Sequence, residues 1–488
     1  MSILSHFTGT PRVQQQEILQ AIEENIDKYD VFVIESPTAV GKSLMAEALA
    51  KYLGSTAILT PTNILLQQYQ QDFPNLNYLY KKDMIEYHDK ATDNVVITFD
   101  NSIDLTGIES KPMYECLAPE KYKCQKHWKA CVDCKYAKDK AKLRCIGTHA
   151  MNYYMYLALK NRQEVMAHNL ILDEAHNIIP MITDLASNIL WKPPKGLYDD
   201  ADIIEYIESL PKKRKVLKHV ISSYKAGKPA YSFEYCREYL RGVPTFGLKV
   251  KPIDIREYKP ILWPHYIKKI FLMSATINFK DIEELGLAHK RVFYVSSDSP
   301  ISPVLRPTLV DPVGHLSYQN ENALLPKVAA ACKKYMYLFH SAKGVIHCPY
   351  RLVEKLKPLL EGEDRIIWHD RTNKMKKYRE FRARKDNAVL VASGLYEGVD
   401  LVEDLGRWQI IVKCPYPSLK DSAINYKANK DETWYAWETI KLLLQASGRI
   451  CRTPTDFGAT IMLDKNFEVL YSKYNRLWPE WFKESLVR

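Results

Sequence analysis

Four groups of residues in this 488-residue chain have the types and spacing to do chemistry. The first is Ser36-Pro37-Thr38-Ala39-Val40-Gly41-Lys42-Ser43. Backbone N–H groups in such a loop, with the positive end of a following helix, can surround a β-phosphate. Lys42 can reach the β- and γ-phosphates, and the Ser43 hydroxyl can hold Mg²⁺. The second is Asp173-Glu174-Ala175-His176. There, Asp173 can bind Mg²⁺ through its water shell while Glu174 orients and deprotonates the attacking water. The third is Gln445, Arg449 and Arg452, whose spacing of four and three predicts one face of a helix. Arginines arriving from another domain can stabilise the charge that develops on a γ-phosphate, a contribution of roughly 10³–10⁵ in turnover.

The fourth group is Cys116, Cys124, Cys131, Cys134 and Cys145, five of 10 cysteines within one short stretch. In a reducing compartment such a cluster points to metal rather than to a disulfide framework. Any four of the five could hold zinc or an iron–sulphur cluster. The same stretch carries Lys121, Lys123, Lys126, Lys129, Lys135, Lys138, Lys140, Lys142 and Arg144 against Asp133 and Asp139, with Tyr122, Trp128 and Tyr136 interleaved. Positive charge tracks phosphates and aromatic rings stack on bases, so the segment suits nucleic acid; a solvated face with core aromatics is the plainer alternative.

The elements that must position these residues follow from the apolar pattern. Val31–Ile34 reads as a buried strand ahead of the phosphate loop, and the helix headed by Lys42 carries Leu44, Met45 and Leu49. A helix is expected at 16–26, a strand at 56–59 and a helix from Asn63. Further strands are expected at 170–172, 270–273, 344–347, 388–392 and 409–412, with helices near 135–143 and 352–360. Strands alternating with helices imply parallel sheets, which bind ligands at the carboxyl ends of their strands. The segment from 179 to 258 shows helical patches and the basic run Pro211-Lys212-Lys213-Arg214-Lys215, and reads as an insertion; the run suits DNA, nuclear import or plain solvation. The residues 470–482, rich in Tyr and Trp, read as core.

Hydrophobic content of 46% and charged content of 26% describe an ordinary globular chain, with no apolar run near the ~18 residues of a membrane span. The N-terminus lacks the basic-then-apolar order of a signal peptide, so a soluble cytoplasmic protein is expected. A net charge of +11 fits a polyanionic partner.

Taken in order, the motifs resemble those of superfamily 2 helicases, specifically the iron–sulphur XPD/DinG branch. Ser36–Ser43 resembles motif I, Thr60-Pro61-Thr62 motif Ia and Asp173–His176 motif II, the DEAH box. Ser274-Ala275-Thr276 is similar to motif III, Glu397-Gly398-Val399-Asp400-Leu401 to motif V and Gln445–Arg452 to motif VI. Arg12 with Gln15 is similar to the motif on the adenine side. Ser36 stands where the consensus has its first glycine, and Ala39-Val40 make the loop less glycine-rich, which is expected to weaken nucleotide affinity.

The resemblance implies two RecA-like parallel-sheet α/β motor domains, with an iron–sulphur insertion and a small arch-like insertion in the first. The expected boundaries are 1–95, 146–180 and 259–295 for the first motor domain, 96–145 for the cluster domain, 181–258 for the arch-like insertion and 296–488 for the second motor domain. It implies ATP and Mg²⁺ as cofactors, a role for Ser274 and Thr276 in coupling hydrolysis to strand movement, and Asp400 at the interdomain nucleotide face. Cys134-Lys135-Tyr136 resembles the last cluster cysteine of that branch, which implies Cys116, Cys124, Cys131 and Cys134 around a 4Fe–4S cluster and leaves Cys145 to open a core strand as a buried thiol. Zinc, with His127 as a substitute ligand, is the alternative. The implied activity is ATP-dependent unwinding by a monomer that travels 5′→3′ on single-stranded DNA and meets duplex junctions, in DNA repair or replication. An RNA helicase, an ATP-driven translocase with structural zinc, or a non-catalytic nucleic-acid-binding module are the rivals. The short accessory segments suggest a compact viral (phage) member working in a host cytoplasm.

Overall fold

A computed structural model describes residues 2–81, 85–89, 94–98, 110–112, 114, 134–159, 164–197, 199–211, 215–240, 243–369, 374–393, 401 and 403–487. Cys116, Cys124, His127, Cys131 and Asp400 lie outside them, as do Glu397, Gly398 and Val399.

Two seven-stranded sheets, parallel throughout, organise the chain. The first runs, edge to edge, Val292–Ser296, Val31–Glu35, Lys269–Ser274, Asn169–Asp173, Thr56–Thr60, Thr148–Asn152 and Asn77–Leu79. Its central strands are apolar on both faces, as a sheet covered by helices on each side requires. One face packs Val33, Leu59, Leu172 and Leu272; the other packs Ile34, Ile58, Ile171 and Met273, with Phe32 stacked on Phe271 at 4.9 Å between ring centres.

The second sheet runs Ile366–Trp368, Val389–Ala392, Gly344–His347, Trp408–Ile411, Ala459–Asp464, Thr308–Gly314 and Leu486–Val487. Leu470, Trp478, Trp481 and Phe482 are buried beside it, so the aromatic C-terminal segment is core, as its composition suggests.

Two small antiparallel sheets lie outside this plan. Ile85–Asp89, Asn94–Thr98 and Ser110–Pro112 form one, and its strand at 94–98 runs across the division expected at residue 95. The other is Asn188–Trp191, Val243–Pro252 and Tyr231–Leu240, against which the helices Asp200–Ser209 and Lys215–Lys225 close a separate apolar core. The insertion therefore carries a three-stranded sheet beside its helices, where only helical patches were expected. Among the described residues, no helix is long and apolar enough to cross a membrane.

Candidate functional site

Three neighbouring strands of the first sheet bring their carboxyl ends into line. Glu35 pairs with Ser274, and Met273 pairs with Asp173, so the residues that follow each strand share one edge. The Ser36 amide donates to the Ser274 carbonyl at 3.0 Å and ties the phosphate loop to that edge. Such an edge of a parallel sheet is where ligands bind.

Gly41 caps the helix Lys42–Leu53 with φ of 88°, a left-handed conformation that suits glycine. A Cβ there would lie 2.5 Å from Gln15 Nε2. Gln15 is buried, donates to the Gly41 carbonyl at 3.3 Å and accepts the Arg12 amide at 2.8 Å, while the Arg12 guanidinium donates to the Ala39 carbonyl. Both residues thus brace the loop from behind. Ala39 is also left-handed, with φ of 69°. Its methyl group, which makes that conformation cost about 1–2 kcal/mol, packs on a cluster of the second domain that includes Ile301 and Ile450. The departure from glycine at this position therefore forms an interdomain contact. Val40 is buried in the first domain, and Pro37 and Thr38 line a cavity between the domains with Arg306, Ser447, Gly448 and Ile450.

Lys42 Nζ donates to the Ser36 carbonyl at 3.2 Å and stands 3.8 Å from Glu174 Oε1; Ser43 follows it in the same helix. Asp173 is buried and held by the Tyr69 hydroxyl, which donates to Oδ2 at 2.8 Å, and by the Glu174 amide on Oδ1 at 2.9 Å. The Tyr153 hydroxyl donates to the Asp173 carbonyl at 2.6 Å. Glu174 turns off the strand with φ of 48°. His176 Nδ1 lies 2.8 Å from Ser274 Oγ, which accepts the Thr276 amide at 3.0 Å.

Environment separates the two carboxylates. Burial and then the neighbouring Glu174 charge push Asp173 up, against the pull of Lys42 and the Tyr69 hydroxyl. Burial alone would raise Glu174 as well, but Lys42, His176, Arg452 and Arg449 together hold it below the ordinary glutamate value. A buried carboxylate short of positive charge, on the same edge as a serine hydroxyl, is a hard-oxygen donor set that fits Mg²⁺. A neighbour kept ionised fits a proton acceptor.

Gln445, Arg449 and Arg452 do not share a helix face. The helix Glu432–Ser447 stops at Gly448, whose amide donates back to the Leu444 and Ala446 carbonyls, and both arginines follow in the turn beyond. Gln445 stays helical with its Oε1 buried and, among the described residues, without a hydrogen-bond partner, while the Arg452 amide donates to Asp456 Oδ2 at 3.1 Å. The turn still delivers both positive charges to Glu174. It also rests on the phosphate loop, since a Cβ on Gly448 would come within 3.6 Å of Thr38 Cγ2.

Cys134 is buried at the start of the helix Lys135–Lys142. Cys145 is exposed, contrary to expectation, because the strand begins only at Thr148 and the intervening residues form a surface bend. Among the described residues no three His, Cys, Asp or Glu side chains gather as a metal site. Tyr136 meets the buried Tyr114 edge to face at 5.2 Å and so packs inward rather than toward a base. Neither Tyr69 nor Tyr153 belongs to any of the motifs; tyrosines carry no spacing signal for the carboxylate they hold.

A family model described as Helicase C-terminal domain matches residues 325–485, and one described as Type III restriction enzyme, res subunit matches residues 8–190. The chain is similar to the Fanconi anemia group J protein homolog of Gallus gallus, 27% identical over 122 residues, which are 22% of this chain and 10% of that protein. It is also similar to the regulator of telomere elongation helicase 1 homolog of Caenorhabditis briggsae, 29% identical over 108 residues, 19% of this chain and 11% of that protein. The matched segments span about a tenth of those relatives. In fold, the chain is similar to a solved XPD helicase structure with a TM-score of 0.63 and 16% identity, covering 98% of this chain and 100% of that one. Xpd4 of S. tokodaii gives a TM-score of 0.58 at 15% identity, with 98% and 100% covered.

Proposed function

We propose that the chain is a superfamily 2 helicase of the XPD/DinG type, an ATP-driven DNA helicase that moves 5′→3′ on single-stranded DNA; the helicase family model over residues 325–485 and the XPD-like fold support this reading. The observation that carries this reading is the approach of Lys42 Nζ to Glu174 at 3.8 Å beside Asp173, with the charges of Arg449 and Arg452 felt at the same carboxylate. Lysine, paired carboxylates and arginines from a second domain are the parts that phosphoryl transfer to water requires.

In this account Arg12 and Gln15 hold the loop in shape, and the amides of residues 38–41 with Lys42 take the phosphates. Ser43 and Asp173 would hold Mg²⁺, which supplies charge neutralisation on the phosphates when bound. Glu174 orients the attacking water and accepts its proton. Arg449 and Arg452 stabilise the charge on the departing phosphoryl group, with Gln445 behind them. His176, through Ser274 and Thr276, links that chemistry to the second domain, and Asp400 contributes at the same face.

The proposed division is 1–95, 146–180 and 259–295 for the first motor domain and 296–488 for the second, with 181–258 as an arch-like insertion. Residues 96–145 form the strand-separating wedge, with Cys116, Cys124, Cys131 and Cys134 around a 4Fe–4S cluster; their spacing and the basic, aromatic composition support this. Zinc in the same position is the alternative. The protein acts as a monomer on single strands and duplex junctions.

The test is ATP hydrolysis by the full chain with and without single-stranded DNA. Stimulated hydrolysis that Lys42→Ala or Glu174→Gln abolishes, with an unchanged circular dichroism spectrum, is expected. Near-normal turnover in either variant would refute the site, and stimulation by RNA but not DNA would move the chain to the RNA helicases.

A further inference from the structure

The helix Phe279–Glu284 begins three residues after Thr276 and continues the chain from the Ser274–Thr276 edge. It does not end in solvent. Asp281, 2% exposed, accepts Lys441 Nζ at 2.9 Å and the Trp437 indole N–H at 2.9 Å, both from the helix Glu432–Ser447 of the other domain. Around this buried core, Glu284 accepts the Trp434 indole N–H at 3.2 Å and pairs with Lys427, while Lys280 donates to Asp431 at 2.7 Å. Lys441 also pairs with Glu438 at 2.5 Å on its own helix.

The partners are joined at both ends to the phosphate site. On one side, His176 touches Ser274, Ser274 accepts the Thr276 amide, and Asn278 caps the helix that carries Asp281. On the other, Lys441 lies one turn before Gln445, and the same helix ends in the turn that carries Arg449 and Arg452. A desolvated charge pair with an indole donor allows few arrangements, because any other leaves a buried carboxylate unpaired.

We propose that Asp281, Lys441 and Trp437 form an interdomain latch that positions Arg449 and Arg452 against Glu174. They are positioning residues: none lies on the edge that receives the phosphates. This inference rests on the helicase reading for its catalytic consequence but not for its geometry.

The test uses the full chain, with steady-state ATP hydrolysis on single-stranded DNA and hydrogen exchange of segment 445–452 relative to segment 201–209 of the insertion. Lys441→Met leaves the Asp281 charge buried and unpaired. It is expected to lower kcat by roughly tenfold or more, with KM for ATP within about threefold, and to speed exchange in 445–452 selectively. Adding Asp281→Asn removes the orphaned charge and keeps an acceptor for Trp437, so kcat and exchange should return most of the way. A Lys441→Met protein that melts earlier but keeps its kcat and its exchange pattern overturns the latch. A wild type without ATP hydrolysis would refute the helicase reading; the latch then stands if the variant speeds exchange and the double variant restores it, and falls if exchange is unchanged.

Discussion

Gly41 offers the sharpest structural prediction. Replacing it with alanine puts a Cβ on a residue with φ of 88° and within 2.5 Å of Gln15 Nε2. The left-handed backbone costs about 1–2 kcal/mol for a residue with a Cβ. Displacing Gln15 breaks its hydrogen bond to the Gly41 carbonyl and strands a side chain that is 1% exposed, a further cost of about 1–3 kcal/mol. Reduced freedom of the unfolded chain returns about 0.4–1 kcal/mol. The net loss should be about 2–4 kcal/mol, read from urea denaturation, with ATP affinity falling as the loop shifts. A double-mutant cycle isolates the clash. Gln15→Ala alone loses the brace, but in the Gly41→Ala background it also removes the obstruction. The double variant should therefore be about 1–2 kcal/mol more stable than the sum of the singles. Strict additivity would refute the packing of Gln15 behind the loop.

Other perturbations follow from the same geometry. Arg449→Ala and Arg452→Ala should each reduce kcat for ATP hydrolysis, toward 10³-fold if the arginine touches the transferring phosphoryl group, with a much smaller change in ATP affinity by equilibrium binding. Cys134→Ser should lose iron and unwinding but retain ATP hydrolysis, as read from metal and sulphide content per chain; full metal content would reassign the ligand to Cys145 or His127. His149 is buried, and burial holds it below the ordinary histidine value against hydrogen bonds to the Cys145 and Met166 carbonyls. It folds neutral, so stability should fall as pH drops below about 6.5, by at most about 1.4 kcal/mol per unit. His149→Gln should flatten that slope in denaturation curves taken from pH 7.5 down to 5.5.

What could be read from the chain was set by local chemistry. The runs Val31–Ile34 and Leu170–Leu172 announce buried parallel strands, and the residues after them announce the phosphate and carboxylate ends of one sheet edge. The failures are equally local in cause. Gly448 ends the helix that was expected to carry Arg449 and Arg452, a capping signal outweighed by their spacing of three. The alternation of Tyr231, Phe233 and Tyr235 on one strand of the insertion, opposite Pro252, Val250 and Leu248 on its partner, has the period of two that marks a hairpin, yet it sits between helix-like segments. Asp281 and Lys441 are 160 residues apart and look like surface charges until the two domains are docked. Tyr69 is similar: nothing around it in sequence points to Asp173.

Unwinding of DNA duplexes with either a 5′ or a 3′ single-stranded tail, compared side by side with ATP, tests the central claim most directly. The account predicts strand separation from the 5′-tailed duplex alone, lost in Lys42→Ala. Separation from the 3′ tail alone, or equally in Lys42→Ala, would contradict it.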